Sequence, residues 1–309
     1  MEPMKTISYS VIIPHFNDCD RLKRLLNSLP IHREDVEVIV VDDCSLDKGA
    51  LEVVQACWPK VRWLSTCVNS GAGVARNVGL DAACGAKLLF ADSDDEFLPK
   101  AFDTIDRVVQ QDDELVYFLA DSIQEEDGSP SMRSEGLNEL VAAYFTNPSS
   151  ASLTQLKLNH IVPWAKVYSH EFVKSRGIRF DAVQHGNDVA FNVLAAIAAS
   201  RVRAVNIPVY RVYRRNGSLT SNLDANAFLL RFNVHRSVAQ RLSKIGVRRV
   251  WSATGYMVLA LRYGPGITLR VWSQAIFSPM LIEWKRVFDI HRWQRFFARN
   301  RRDLQEISK

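Results

Sequence analysis

Between Leu88 and Phe97 the chain reads LLFADSDDEF. An apolar run of the kind that fills a buried strand ends in Asp92, Asp94 and Asp95, with Glu96 directly behind. Two carboxylates about 5 Å apart repel by roughly 3 kcal/mol at an effective dielectric of 20, so such a cluster needs a countercharge. A second acidic pair, Asp42 and Asp43, closes the run VEVIVVDD. Acidic clusters with few soft ligands nearby point to a hard divalent cation, Mg2+ or Mn2+, held by oxygens and shared with substrate phosphates. The structural alternative is that aspartates ahead of FLPKAF serve a helix N-terminus through its dipole.

Glycine-based phosphate cradles are excluded. In NSGAGVARNVG, Gly71 and Gly73 have GxG spacing, but Arg76 stands where GxGxxG needs glycine. The first strand-like segment runs into PHFND without a glycine, and GxxxxGK[ST] is missing. A nucleotide held by carboxylates and a metal is the better option.

The elements that must position these residues follow a regular rhythm. YSVIIP, VEVIVVDD, VRWLS, KLLFA and ELVYFLA read as strands. They alternate with helical segments: DRLKRLLNSL behind a candidate Asp20 N-cap, KGALEVVQAC, AGVARNVGLDAAC and PKAFDTIDRVVQ. This alternation predicts an α/β fold with a mainly parallel sheet and helices on both faces. Ligands of such sheets bind outside the carboxyl ends of the strands, where both acidic clusters fall. From about residue 122 the rhythm breaks. EEDGSPSM carries turn chemistry, LNELVAAYF reads as a helix and NPSSAS as a loop. IVPWAKVYS and GIRFD fit short strands or irregular packing segments, DVAFNVLAAIAAS a helix, and AVNIPVYRVYRR a strand whose proline predicts a sheet edge. Beyond 225 the pattern is helical, broken by YGPG at 263–266.

Composition bounds the class. With 309 residues, 47% hydrophobic and 24% charged, the chain can bury a real core. The net charge of +5 conceals a division: residues 225–309 carry 16 Lys and Arg against 4 Asp and Glu, while residues 1–224 carry 23 against 30. Such asymmetry points to an acidic partner for the tail, membrane surface or nucleic acid, or to a solvated basic helical face. The five cysteines lie within the first 84 residues without CxxC spacing, which reads as small core residues in a reducing compartment. The opening MEPMKTISYS shows no secretory signal, and no apolar run approaches the roughly 18 residues needed to cross a bilayer.

Four segments then occur in order: SVIIPHFNDCDRLKRLLNSL, VEVIVVDDCSLD, NSGAGVARNVGLDAACGAKLLFADSDDEFLP and PWAKVYSHEFVKSRGIRFD followed by HGNDVAF. Over residues 8 to about 215 this series resembles the family 2 glycosyltransferases of GT-A fold, in particular those of bacterial surface polysaccharide assembly. The resemblance implies a GT-A catalytic domain at 1–224, with a nucleotide-binding half to about 121 and an acceptor-binding half at 122–224. A helical extension follows at 225–309. The family's DxD motif falls on Asp92, near the ribose, and on Asp94, the metal ligand, with Asp95 as a possible helper. Pro14, Asn17 and Asp18 match its first strand motif, and Asp42 and Asp43 its second; these frame the base and ribose, most often uridine. Arg76 matches a basic position near the nucleotide, the alternative being a helix residue paired to an aspartate.

Where the family commonly has GED before a helix, this chain has HGND, with Asn187 in place of Glu and Asp188 retained. Asp188 is then the general base of an inverting transfer, His185 a second candidate, and helix capping the structural alternative for Asp188. Trp164 and Lys166 in PWAKVY match a stretch beside the acceptor site, where an aromatic face suits a sugar ring and the lysine a phosphate. Core packing is an equal reading for Trp164.

The expected protein is a hexosyl- or N-acetylhexosaminyltransferase that depends on Mn2+ or Mg2+. It would move a sugar from a nucleotide sugar, UDP-linked by expectation, to a glycan or lipid-linked glycan in lipopolysaccharide, capsule or exopolysaccharide synthesis. An inactive nucleotide-sugar-binding or membrane scaffold is the alternative that Asn187 raises. A nucleotidyltransferase would need a basic glycine-rich opening loop that is missing. After 225, FLLRFNVHRSVAQRL, VRRVWSATGYMVLALRY and IEWKRVFDIHRWQRFFARNRR interleave cations with Trp, Phe and Leu, as interfacial helices do. This predicts a cytoplasmic protein, peripheral on the inner membrane, with packing on the catalytic domain as the other reading. No nucleic-acid motif is present, so no nucleic-acid partner is expected.

Overall fold

The computed structural model describes residues 7–215 and 224–287. The chain divides into two compact units, residues 1–222 and 223–309. In the first, β1 (Tyr9–His15) is buried along its whole length. A strand flanked on both sides must be, and β1 pairs in parallel with β2 (Val36–Asp42) and with β4 (Lys87–Phe90). On the far side β2 pairs in parallel with β3 (Arg62–Ser65). Successive side chains of β1 point to opposite faces. Val11 and Ile13 therefore join Leu22, Leu25 and Leu26 of α1 (Cys19–Ser28) in one core layer. Ile12 joins the other layer, with Leu80 of α3 (Ala72–Ala82), Phe90, and Phe191 of α8 (Asn187–Ala198). α2 (Lys48–Cys57) starts behind a true N-cap, where Asp47 accepts from the Ala50 amide at 2.9 Å.

The full strand order is β3-β2-β1-β4-β7-β6-β8-β5, with β5 at Glu96–Phe97, β6 at Leu115–Gln124, β7 at Lys166–Ser169 and β8 at Val202–Arg214. The sheet is mixed but mainly parallel, as expected: β1–β2, β1–β4, β2–β3 and β6–β8 pair in parallel, and only the short β4–β7, β6–β7 and β5–β8 pairings are antiparallel. Between β6 and β7 the chain forms α5 (Glu135–Thr146) and α6 (Ser150–Asn159), and it returns so that β7 runs antiparallel to both β4 and β6. β5 is antiparallel to β8, with α4 (Ala101–Val108) following it.

Several sequence expectations are corrected here. NPSSAS does not stay a loop, because Ser149 and Ser152 form a capping box that starts α6. GIRFD is a packing segment: Ile178 and Phe180 are buried, and the Asn77 side chain holds both the amide and the carbonyl of Phe180. Pro208 sits at a register shift in β8 where β6 pairs on one side and β5 reaches only Tyr210 and Arg211, so the missing N–H is tolerated at a local edge, as the proline predicted. α1 begins at Cys19 behind Asp18, and Asp20 pairs with Lys23 instead of capping. The cysteines are free, yet none is buried: Cys57, Cys67 and Cys84 are exposed.

The second unit contains α9 (Ala225–Lys244), α10 (Thr254–Ala260), a 3-10 turn at Leu261–Tyr263, α11 (Pro265–Ile276) and α12 (Trp284–Val287). Phe228, Phe232, Met257, Val271 and Ala275 form its core. The YGPG break separates helices as expected, with Gly264 at φ 90° preceding Pro265 in the first turn of α11. The cation- and aromatic-rich segment after Val287 lies outside the described residues. Among the described residues no helix is long and apolar enough to cross a membrane.

Candidate active site

Parallel pairing of β1, β2 and β4 aims their carboxyl ends the same way, and the strand ends border a cleft of about 450 Å3. Pro14, His15 and Asp18 reach it from β1, Asp43 from β2, and Asp92 and Asp94 from β4. Arg76 enters from α3, and His185, Asn187 and Asp188 from the start of α8.

Asp43 is buried and its carboxylate is filled with donors: the Thr66 hydroxyl at 2.7 Å, the Ser70 amide at 2.9 Å and the Gly71 amide at 2.6 Å. Its neighbour Asp42 turns away. Asp42 accepts from the Ser45 amide and pairs with Lys48 at 2.8 Å, and it is not part of the cleft wall. Burial opposes its ionisation, but the Lys48 ammonium and the Ser45 hydroxyl and amide outweigh burial and hold it below the usual carboxylate range. Asn17, at φ 58°, ties β1 to β2: its side chain accepts from the Leu46 amide at 2.7 Å and its own amide donates to the Ser45 hydroxyl. It too lies behind the wall.

The DSDD segment splits in the same way. Asp92 accepts from Arg76 at 2.5 Å, and its amide donates to the Tyr210 hydroxyl at 2.9 Å. Asp94 pairs with Arg215 at 3.0 Å, while Arg215 also approaches Asp18 at 3.8 Å. Burial, then the charge of Asp92, pushes the Asp94 carboxyl up. Asp95 is directed inward, accepting from the Tyr213 amide of β8 at 3.0 Å; burial and the neighbouring Asp94 and Asp92 push it well up. It is thus neither a wall residue nor a cap of α4.

Arg76 is 5% exposed and spans the cleft floor, donating to Asn187 at 2.8 Å as well as to Asp92. Gly73 permits this approach, since a Cβ there would stand 2.8 Å from the Asn187 Cβ and would clash with the Asp181 carbonyl. Asp188 stands in the first turn of α8 while Gly186, at φ 71°, takes the cap position. Among the described residues no hydrogen bond from another residue reaches its carboxylate, and burial pushes it up despite the pull of Arg76 and of its own backbone amide. A carboxylate in the wall that no other residue engages is open to accept a proton from a bound hydroxyl.

Trp164 and Lys166 are not in the wall. Trp164 is buried and stacks on Tyr210 with ring centroids 5.7 Å apart, and Lys166 is 2% exposed in the core. Conversely, two ionisable wall residues, His15 and Arg215, escaped the sequence reading. His15 is buried with its Nδ1 unpartnered, and burial pushes it toward the neutral form. Arg215 lies at the end of a run of arginines that nothing in its residue type singles out. Alternation along β8 is the only signal that would have separated it from Arg214.

The donor set suits Mg2+ or Mn2+, which take one or two carboxylates and complete their shell with water and substrate phosphate. Asp94 and Asp92, each about one-third exposed, are the pair that would hold such an ion. Arg215 already answers the Asp94 charge from the other side.

A mixed sheet with carboxylates gathered at its strand ends and a lone aspartate opening a facing helix defines a GT-A fold. The chain belongs to glycosyl transferase family 2, whose profile matches residues 10–177. It is similar to the glycosyltransferase YibD of Escherichia coli K12, 29% identical over 70% of this chain and 64% of YibD. The succinoglycan biosynthesis protein ExoO of Rhizobium meliloti is 26% identical over 82% of this chain and 77% of its own. Among solved structures, TarS 1-349 of S. aureus in complex with UDP-GlcNAc superposes with a TM-score of 0.57 at 24% identity, covering 75% of this chain and 65% of that one. The chain thus spans just under two thirds of YibD and of that TarS fragment.

Proposed function

We propose that the protein is a metal-dependent, inverting glycosyltransferase that takes a UDP-linked sugar and passes it to a glycan or lipid-linked glycan in surface polysaccharide assembly. The observation that carries this reading is Asp188, a carboxylate that no other described residue hydrogen-bonds, in the same cleft wall as Asp43, Asp92 and Asp94. The names of ExoO and of the UDP-GlcNAc complex of TarS support the polysaccharide context and the uridine donor.

Asp43 and Asp92 would frame the nucleoside, with Arg76 fixing Asp92. Asp94 and Asp92 would hold the divalent ion, which when bound offsets charge on the departing diphosphate. The acceptor oxygen attacks the anomeric carbon from the side opposite the diphosphate. As the new C–O bond forms, the bond to the diphosphate breaks with its electron pair, and Asp188 takes the hydroxyl proton. Asn187 is engaged with Arg76, so its amide serves where the family commonly has Glu. Isothermal titration with UDP in the presence of Mn2+ is expected to show saturable binding. A panel of UDP-sugars is expected to yield UDP release, with inverted configuration at the anomeric carbon by NMR. Absence of UDP binding sinks the proposal; binding without turnover on any donor leaves the inactive scaffold.

Membrane contact is the second part of the reading. Leu269 and Phe277 of the α11 region are 73% and 87% exposed, with Arg270 and Ile276 beside them. A groove joins Ile276 and Phe277 to Arg241 and Lys244 of α9. Residues 224–287 carry ten Lys and Arg against two Asp and Glu. Exposed apolar side chains ringed by cations fit an anionic bilayer surface, each cation contributing about 1 kcal/mol. Co-sedimentation with phosphatidylglycerol vesicles is expected, and Phe277→Ser with Leu269→Ser should weaken it. Equal partition onto neutral phosphatidylcholine, or none onto either, overturns it.

A further inference from the structure

Asp94, the carboxylate best placed to hold a divalent ion, already carries a cation of the chain's own. Arg215 Nη2 lies 3.0 Å from Asp94 Oδ2, and Nη1 of the same guanidinium lies 3.8 Å from Asp18 Oδ2. The arginine fork thus bridges the segment after β4 and the segment between β1 and α1, and all three side chains line the cleft. They are only partly exposed, 37% for Arg215, 33% for Asp94 and 25% for Asp18, so solvent screens these charges incompletely.

The two carboxylates are held in place. The Asp94 carbonyl accepts from Arg24, and the Asp95 amide closes the turn on the Asp92 carbonyl at 3.1 Å. Asp18 is gripped by Arg21 at 2.6 Å, and Glu125 holds that arginine in turn at 2.7 Å. β8 pairs with β6 through Arg214, whose carbonyl accepts from the Glu125 amide at 2.9 Å. Arg215 is the next residue, so its rotamer-rich side chain is the part of this triangle that can move. Its 3.8 Å approach to Asp18 is about 1 Å longer than a charge-assisted hydrogen bond, and a short swing exchanges one carboxylate for the other.

Charge decides when that swing occurs. A guanidinium and a divalent ion on one carboxylate repel at short range, and the partly buried setting strengthens the repulsion. Asp92 offers Arg215 no refuge, because Arg76 already holds it at 2.5 Å. Asp18 does, since it makes no cap bond to α1 and has accepting capacity beyond Arg21. From this geometry we infer that Arg215 is a transferable counterion. It neutralises Asp94 in the metal-free protein and passes to Asp18 when a divalent cation takes Asp94. Asp18 then sets metal affinity through Arg215 rather than as a ligand. The inference rests on the reading of Asp94 as the metal ligand.

The test measures Mn2+ binding to the full chain without nucleotide, from the EPR signal of the free ion, across a double-mutant cycle of Arg215→Gln and Asp18→Asn. Arg215→Gln is expected to tighten binding about tenfold, since the ion no longer has a cation to displace. Asp18→Asn is expected to weaken it about fivefold in the parent but less than about twofold in the Arg215→Gln background, the non-additivity that a shared partner produces. Equal weakening in both backgrounds makes Asp18 a ligand or a plain source of field and overturns the inference. An Arg215→Gln variant that binds Mn2+ no tighter than the parent overturns it too, as does the lack of saturable binding to any of these proteins. Arg215 is partly exposed, so its replacement opens no core cavity and keeps the test decisive where Asp18→Asn fails to fold. Asp94→Asn is run alongside: Mn2+ held as tightly as by the parent overturns the metal reading of Asp94, and the inference with it.

Discussion

Asp43 and Asp188 line one cleft from opposite sides, and their surroundings differ in a way that separates holding from reacting. Asp43 leaves β2 with three donors on its carboxylate, two of them backbone amides of the segment leading into α3. It is held largely by main chain. Asp188 opens α8 with no donor from another described residue on its carboxylate, and burial raises its affinity for a proton. Hydrogen bonds to the charged form favour that form, and burial without them favours the neutral one. The same residue type is thus tied down by donors on one wall and left open toward the cleft on the other.

The comparison breaks most sharply at Asp188. Asp188→Asn is expected to lower kcat by about 10³-fold, within the range for loss of a general base, while leaving UDP affinity unchanged. Titration calorimetry with UDP beside a transfer assay separates the two effects, and a parallel loss of binding moves Asp188 to the donor side. Asp43→Ala should show the reverse. It strands the Ser70 and Gly71 amides at about 1–3 kcal/mol, so UDP binding is expected to weaken about 10- to 100-fold and the melting temperature to fall. Undiminished UDP affinity in that variant removes Asp43 from the nucleotide site.

A smaller effect is expected where the two walls meet. Gly73→Ala drives a methyl group against the Asp181 carbonyl and the Asn187 side chain. Overpacking of this kind costs about 1–3 kcal/mol. Because Asn187 is held by Arg76, the variant should lower kcat together with thermal stability. A melting temperature equal to the parent's indicates that α3 and α8 give way freely there, and that Arg76 does not fix the base side.

The carboxylates were readable because their spacing is tied to strand ends, which a buried apolar run announces. Pairs were harder. DD at 42–43 and DD at 94–95 each read as two wall residues, but side chains alternate at the end of β2 and Asp94 lies in a turn closed by the Asp95 amide on the Asp92 carbonyl, so that only Asp43 and Asp94 of these face the cleft. Lys166 in PWAKVY was misread, while the core reading of Trp164 holds, because a four-residue strand has too little period to tell a core lysine from a surface one. A lysine is buried so rarely that its residue type argued for the surface. α6 was hidden because serine and asparagine serve turns and helix caps alike. The parallel β1–β4 region followed from the alternation, whereas β7 came from a long excursion whose return direction no local pattern records.

The smallest expected effect concerns what steadies the donor wall. Glu125, just after β6, receives both Arg21 and Arg24, at 2.7 and 2.9 Å. Arg21 also pairs with Asp18, and Arg24 donates to the Asp94 carbonyl while lying 3.6 Å from the Tyr213 ring centroid. One carboxylate therefore sets two arginines that hold two wall residues. The Arg21 hydrogen bonds, foremost, pull Glu125 from the ordinary 4.5 down to about 2. A carboxylate depressed in the folded state contributes stability that is complete above its unfolded pKa and is lost as pH falls through the folded one. Denaturation curves of Glu125→Gln against the parent should accordingly show a constant gap from about pH 6 to pH 8 that narrows below about pH 4.5 and closes toward pH 2. A gap of equal size at about pH 2.5 and pH 7 means that the arginines gain nothing from the charge of Glu125, and the steadiness of the donor wall would then come from main-chain bonds such as those on Asp43.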